Sequence, residues 1–520
     1  MKTLYVGSRS CTILIDPSGD YHSGEKYTLL LSDGRAIDAD TSVLSVFDLA
    51  PETDYTAQCA FGGRTERVSF TTAVECCTLN ARDFGALGDG IKDDTAAIQA
   101  AILCCPEGGR VLVPEGNYLV SPLFLKSLMT LELARGARLL LTTDRSRFPL
   151  LPGRVDAANE HGEYLIGTWE GEPFLTYASA INGINVQDVL LCGEGCVDGQ
   201  GNRADWWPRV KESGLPSRPR LFYLRNCKNV CVQGVTFRNS PAWNLHPCFS
   251  ENVSFLNVNV YAPADSPNTD GFDPESCKGV RVFGTLFSVG DDCIAIKSGK
   301  MVMGEKYRTP CEDIEIAWCH MLDGHGGVTV GSEMSGGVKR VRVHHCLMTG
   351  NDRGLRIKTR RGRGRWGVID DIVFEDVKMV GVKAPLTVNA MYFCGSDGKS
   401  DYVQSRERQP VDEGTPTIGR IRYERVQAMK CQACAAYMLG LPENPAEELC
   451  LKDCVFEMDG NASPMPPIMA SYIEPCARRG IYSRFVRRVV LENVTLKGVE
   501  GRALETEDVD EVVSAGCAGF

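Results

Sequence analysis

Residues 229–240 read NVCVQGVTFRNS, and residues 252–263 read NVSFLNVNVYAP. Each stretch opens on a polar residue, runs on as alternating apolar positions, and breaks at Gly, Asn or Pro. The pattern returns as GVRVFGTLFSVG from 279, DIEIAWCHMLDG from 313, RVRVHHCLMTGN from 340 and DIVFEDVKMVGV from 371. Successive starts lie 23, 27, 34, 27 and 31 residues apart, and weaker copies begin at 185, 420 and 489. Alternation of period two marks a strand with one buried face. Strands that recur at a short period without helices between them indicate a β-solenoid. One such unit cannot bury its apolar face alone, so coils must stack. A propeller requires roughly 40–50 residues per blade and fits these intervals less well. The expected fold class is all-β, a parallel solenoid.

Outward from the repeats, the chain changes character twice. ARDFGALGDGIKDDTAAIQAAILCC, from Ala81, supplies a Gly-rich turn, an N-cap region at Asp93-Asp94-Thr95, and Ala97, Ile98, Ala101 and Ile102 at helical spacing. This predicts one helix over 94–105, capping the first coil. Residues 1–75 instead alternate short β-like runs (CTILI, YTLLL, TSVLSVF, RVSFTT) with polar turns. Leu49-Ala-Pro51-Glu-Thr53-Asp-Tyr55 followed by VSFTT resembles the last strands of a fibronectin type III domain. The expected division is a small fibronectin type III-like β-sandwich at 1–75 and a solenoid domain at 76–520. Such a module is expected to set orientation or contacts between copies of the chain, making a homo-oligomer an expectation to test.

The composition is that of a globular protein, 43% apolar and 24% charged. No apolar run reaches the ~18 residues of a membrane span, so no membrane partner is expected. The N-terminus MKTLYVGSRSCTILIDPSGD lacks the apolar core of a signal peptide. The 23 cysteines, several in adjacent pairs, suit reduced thiols better than a disulfide framework. Both features lead to an expected cytoplasmic location. Cys431-Gln-Ala-Cys434 has no second half, so no metal or other cofactor is expected.

One local feature departs from this composition. The chain carries a formal charge of −11, yet Arg353 to Arg365 hold seven cations and no carboxylate. A nucleic-acid surface would call for net positive charge and several stacking aromatics. Only Trp366 is near, so no nucleic-acid partner is expected. In a parallel solenoid, residues one coil apart lie about 4.8 Å apart in space. Asp270 and Asp291 are 21 residues apart, Asp292 follows, His325 lies 34 beyond Asp291, and Arg356 lies 31 beyond His325. These offsets match the coil spacings and would gather three carboxylates, an imidazole and a cation on one face. Arg356 and Lys358, at i and i+2, share one side of a strand. Three crowded carboxyls cannot all ionise readily, so one should hold its proton. Singly, each piece is an ordinary turn or solvated edge; their joint recurrence at coil spacing is the signal.

Asn268-Thr-Asp270-Gly, Gly290-Asp291-Asp292, Gly324-His325-Gly326 and Arg356-Ile-Lys358, in this order, together with the opening FGALGDG…DDT, resemble the polygalacturonase-like family of glycoside hydrolases, family 28. The resemblance runs from about Thr78 to the C-terminus. It implies a right-handed parallel β-helix and inverting hydrolysis of α-1,4 bonds between galacturonic acids. It also implies Asp291 as general acid, Asp270 and Asp292 as bases holding the water, and His325 beside acid or substrate. Inversion ordinarily separates acid and base by roughly 6.5–9.5 Å. Arg356 and Lys358 would clamp a sugar carboxylate, with Asn268, Arg353, Arg361, Tyr392 and Trp207 as further substrate contacts. The expected partner is an anionic pectin fragment, an oligogalacturonide. The module at 1–75, the loop PLLPGRVDAANEHGEYLIG at 149–167 and GSEMSGG at 331–337 resemble the family's bacterial exo-acting members. Exo action from the non-reducing end is therefore expected, with Trp206 and Trp207 beside the closing loops. The alternatives are an endo-enzyme, a hydrolase of xylogalacturonan or rhamnogalacturonan, a Ca²⁺-dependent pectate lyase, and a binding β-helix without catalysis.

Overall fold

A computed structural model describes every residue except 209 and 211–213. From Thr78 onward, outside the antiparallel strands of 150–177, strands pair in parallel, each with its counterpart one coil away, and form three faces of a β-helix. The first face holds the strands that open each repeat, such as Lys228–Gln233, Glu251–Leu256, Lys278–Phe283 and Cys311–Ala317. The second is a 13-stranded sheet of short strands such as Thr236–Arg238 and Asn259–Tyr261. The third carries Leu245–Cys248, Asp292–Ile296, Gly326–Val330, Arg353–Lys358 and Ala384–Asn389.

The polar residue that opens each repeat has a backbone reason. Asn229, Asn252, Gly279, Asp313 and Asp371 all have positive φ, as does Arg340. The register skips this residue: Lys228 pairs with Glu251, then Val230 with Val253. Asn, Asp and Gly tolerate the left-handed region best. Beyond this bulge the odd positions Val230, Val253, Val280, Ile314, Val341 and Ile372 stack in register, fully buried. The core is thus a column of aliphatic side chains running the length of the helix, and the alternation read from sequence is its trace.

A helix α1 spans Thr95–Cys104, buries Ile98, Ala101 and Ile102, and packs on the first coils. Asp94 is its N-cap residue, but its carboxylate accepts from the backbone of Leu87 and Gly88 instead, tying down the Gly-rich turn. A second helix α2, Met301–Tyr307, was not anticipated. It has seven residues, a central glycine and no side-chain cap, so its helical periodicity is too short to read.

Residues 2–71 form two antiparallel sheets. One joins Lys2–Val6, Cys11–Leu14 and Val43–Val46; the other joins His22–Leu31, Ala36–Thr41, Asp54–Phe61 and Arg64–Thr71. Their shared core includes Ile13, Leu29, Val46, Tyr55 and Phe70. Tyr55 Oη accepts a hydrogen bond from Ala50 N at 2.9 Å, fixing the corner before its strand. This module lies on the first face of the β-helix. Leu14 and Val43 pack with Leu190, Cys192, Cys231, Leu256, Phe283, Ala317 and Trp318. Ser10 and Thr12 both hydrogen-bond the buried amide of Gln233, each at 2.6 Å.

Candidate active site

Asp270, Asp291 and Asp292 converge on the third face. One oxygen of each lies within 4.8 Å of the others. This is tighter than the separation expected for inversion, because Asp291 and Asp292 are neighbours in sequence and Asp270 sits only one strand spacing away. Asp292 is 1% exposed. Its Oδ1 accepts from Arg356 at 3.1 Å and its Oδ2 from Lys358 at 2.7 Å. Burial alone would raise its pKa, but the two cations hold it well below the usual carboxylate range. Gly326 makes room for this carboxylate: a Cβ there would stand 2.4 Å from Asp292 Oδ1.

Asp270 is the opposite case. Burial, with repulsion from Asp291 and Asp273, pushes its carboxyl well above the ordinary value. Of the three crowded carboxyls, Asp270 is the one whose hold on a proton is strengthened. Asp291 is the most open of the three, with a side chain 28% exposed, and His325 Nδ1 lies 3.4 Å from it. That contact raises the His325 pKa, against burial.

The register corrects one inference from spacing. Asp292 pairs with Gly326 and Gly326 with Arg353, so His325 is level with Asp352 and Arg356 lies four residues further along its strand. Arg356 pairs instead with Thr329, which itself pairs with Ala295, and reaches back two coils to Asp292. The i, i+2 relation holds, since both Arg356 and Lys358 meet the same carboxylate. Tyr392 stands beside them, with Arg356 Cζ 5.4 Å and Lys358 Nζ 5.2 Å from its ring centroid. Asn268 accepts a 2.7 Å hydrogen bond from Arg218 through Oδ1.

Other expected contacts fall elsewhere. Arg361 is 1% exposed and forms a two-pronged pair with Glu443, at 2.6 and 2.8 Å, while Nη1 donates to backbone carbonyls of Tyr402, Val403 and Ser405. It does not face the cluster. Arg353 donates to the carbonyls of Pro466 and Pro467, so its guanidinium anchors a loop. Trp207 is buried in the main core. Trp206 lines a separate pocket of about 120 Å³ with Arg145, Trp169, Phe174 and Arg218, which includes none of the three carboxylates. The cationic stretch as a whole is not an open strip. Arg360 pairs with Asp397, Arg363 donates to Ser332 O, and Arg365 lies near Glu305 and Glu413. Its arginines mostly fasten loops around the cleft.

Sequence reasoning missed a second layer. Lys297 Nζ lies 3.3 Å from Asp273, 3.4 Å from Glu333, 3.9 Å from Asp270 and 4.8 Å from the Trp243 ring centroid. Asp273 was three residues from a motif aspartate and Glu333 lay inside a noted stretch; only the register joins them to Lys297.

The insertion at 149–177 folds as short hairpins against this layer. Arg225 Nε donates to Leu165 O at 2.7 Å, and Arg220 and Tyr223 donate to the carbonyls of Thr168 and Ile166. Trp169 stacks on Trp243, 4.8 Å between centroids. At the tip, Gly171 O accepts from Lys300 N at 2.8 Å. Gly171 has φ +76, and a Cβ there would meet Lys300 N at 2.8 Å and Glu333 Cβ at 2.9 Å. The tip is therefore held against the strand ends that carry Lys297 and Glu333. Helix α2 braces it from outside: Lys306 and Tyr307 bind Glu163, while Glu305 accepts from Trp366 Nε1.

Comparison with known proteins agrees with this geometry. The family described as Glycosyl hydrolases family 28 matches residues 162–458, more than half of the chain. Residues 78–132 match the family described as Rhamnogalacturonase A/epimerase, pectate lyase-like. A Vitis vinifera protein described as "Probable polygalacturonase" is 31% identical over 79% of this chain and 80% of its own. Among solved structures, a hyperthermoactive exopolygalacturonase from Thermotoga maritima is 27% identical, with a TM-score of 0.61 over 75% of this chain and 89% of its own. A family 28 exopolygalacturonase from Yersinia enterocolitica shares the fold with a TM-score of 0.68, at 20% identity over 98% of this chain and 97% of its own. With its motifs gathered in one cleft of a parallel β-helix, the chain belongs to family 28 of the glycosyl hydrolases.

Proposed function

We propose that this protein hydrolyses the α-1,4 bond between galacturonic acid residues, with inversion, working from the non-reducing end of oligogalacturonides. The observation that carries the reading is the contrast among three carboxyls with oxygens within 4.8 Å of one another: Asp292 tied to both Arg356 and Lys358, Asp270 buried, Asp291 open to the cleft. In the proposed cycle a water bonds to the anomeric carbon as the glycosidic bond breaks. Asp291 gives its proton to the departing oxygen, and Asp270 with Asp292 holds the water and takes its proton. Each turnover thus leaves Asp291 one proton short and the Asp270 base one proton up, and the cycle closes when that proton returns to Asp291. The return path is short, because both oxygens lie within the 4.8 Å cluster. Arg356, Lys358 and Tyr392 present the cationic and aromatic surface for the sugar carboxylate.

The exo reading rests on the hairpin tip at Glu170-Gly171, which stands as a wall beside the cluster. A relative described as an exopolygalacturonase at 27% identity supports it. The all-thiol state of the cysteines supports a reducing compartment. The two-sheet module with its Tyr55 corner supports a fibronectin type III-like reading of residues 1–75.

The test is a time course on defined oligogalacturonides and polygalacturonate, with and without chelator. Saturated short product released from the start, in both conditions, is the expected result. Early mid-length oligomers would make the enzyme endo-acting. Unsaturated, chelator-sensitive products would make it a lyase. Proton NMR of the first product distinguishes inversion (the β anomer) from retention, which the compact carboxyl spacing alone would favour.

A further inference from the structure

The proposed cycle leaves two nearby carboxyls and one cation without a task. Asp273 is fully buried, and neither of its oxygens has an aligned hydrogen-bond partner among the described residues. The cation within reach is Lys297, at 3.3 Å. Lys297 is 4% exposed and its ammonium is shared with Glu333 and Asp270. Five carboxyls (Asp270, Asp273, Asp291, Asp292 and Glu333) therefore meet three cations (Lys297, Arg356 and Lys358), two of which are committed to Asp292. Uncompensated buried charge is costly, so the group must retain protons.

Other charges also face it. Arg218 lies near Asp270 and Glu170 but donates to Asn268 Oδ1 and to the carbonyls of Pro241 and Pro267, and Arg220, near Asp273 and Glu275, donates to Thr168 O. His246 is paired with Glu275 at 3.0 Å. Arg363 acts on Glu333 from the following loop, and Glu170 approaches from the hairpin tip. His325 is occupied with Asp291.

We propose that Lys297 and Asp273 are positioning residues for the hydrolysis: the Lys297 ammonium, set between Asp270 and Asp273, keeps the pair to a single proton so that Asp270 is free to act as base. This rests on the hydrolytic reading above. Glu333, drawn down to about 2 by Lys297 and Arg363 against its burial, anchors the ammonium as an ion. Asp273, pushed up to about 7 by burial with Lys297 opposing, is suited to hold the proton. Lys297 also opposes the rise at Asp270, whereas Asp273 adds to it.

The experiment reads the ammonium and the proton separately. The pH dependence of kcat is measured on oligogalacturonide for the wild type, Lys297→Met, Lys297→Gln and Asp273→Asn, with a thermal melt of each. Loss of the ammonium should move the acidic limb of kcat to higher pH by about one unit, a tenfold loss below the limb. Asp273→Asn is neutral, as the protonated Asp273 is, and should leave that limb at its wild-type position with KM little altered. If neither Lys297 variant folds, Asp273→Asn still carries the test: a limb moved down by about one unit would mean that Asp273 is ionised and Asp270 holds the proton, which overturns the proposal. A Lys297 limb that superimposes on the wild type, whatever happens to stability, would overturn it too. A wild type inert toward galacturonides would overturn the hydrolytic reading and this proposal with it.

Discussion

Asp292 keeps its charge because Arg356 and Lys358 take both of its oxygens. Asp291 has no such tether, which is why the proposed acid is the aspartate nearest solvent. Replacing it by Asn should lower kcat by roughly 10²–10⁴ with little change in KM; steady-state kinetics on a trimer check this. Stability should show the same division of labour. A carboxyl raised by burial, as at Asp273, favours the fold below its ordinary pKa, near 4, and loses that contribution as pH rises through about 7. A carboxyl held low, as at Asp292, favours the fold above the ordinary range and loses the contribution as pH falls. Melting temperatures of Asp273→Asn relative to wild type should therefore climb between pH 4 and pH 7. At this scale Asp270, Asp291, Asp292 and His325 were legible because coil spacing repeats along the chain, whereas Arg356 and Lys358 were legible as a pair at i and i+2, their level in the stack being set by a register that spacing misjudged. Lys297 was not: in IAIKSG it looks like an ordinary strand end, and its acidic neighbours come from the coil before it (Asp270 and Asp273) and the coil after it (Glu333).

Among elements, the hairpin around Glu170-Gly171 and the cationic loop divide function from support. Deleting residues 168–173 should open the cleft end, so that early products from polygalacturonate shift from short to mid-length oligomers on a sizing column. Arg361→Met should instead strand the buried Glu443 and cost about 3–5 kcal/mol of stability, read by denaturant unfolding, while KM stays near wild type. The strands could be placed from sequence because most begin at a left-handed bulge that Asn, Asp or Gly fills, Arg340 being an exception. The cationic loop was misread for a physical reason: sequence displays its charges but not the carbonyls and carboxylates that answer them, most of which lie 31 to 114 residues away. Buried Trp207 escaped for the same reason, since an aromatic in an insertion looks alike whether it faces sugar or core.

On the scale of the whole molecule, the module and the β-helix share an apolar seam. Val43 is fully buried against that seam, and a Cβ on Gly284 would stand 2.5 Å from it. Val43→Asp should place a charge there, lower the melting temperature and open the 73–77 junction to limited proteolysis. The β-helix was legible as a period; the docking of the module was not, because Leu190, Leu256 and Phe283 occupy strand positions that sequence alternation assigns to the outer surface. The seam runs along successive coils from Leu190 to Trp318. A stack of coils is mechanically a spring, soft to bending and twist about its long axis. A second body bonded along one flank acts as a splint over the turns that hold Asp270 and Asp291. The groove on the adjacent flank then keeps a fixed curvature while a charged, flexible sugar chain is drawn in, so the substrate does the bending.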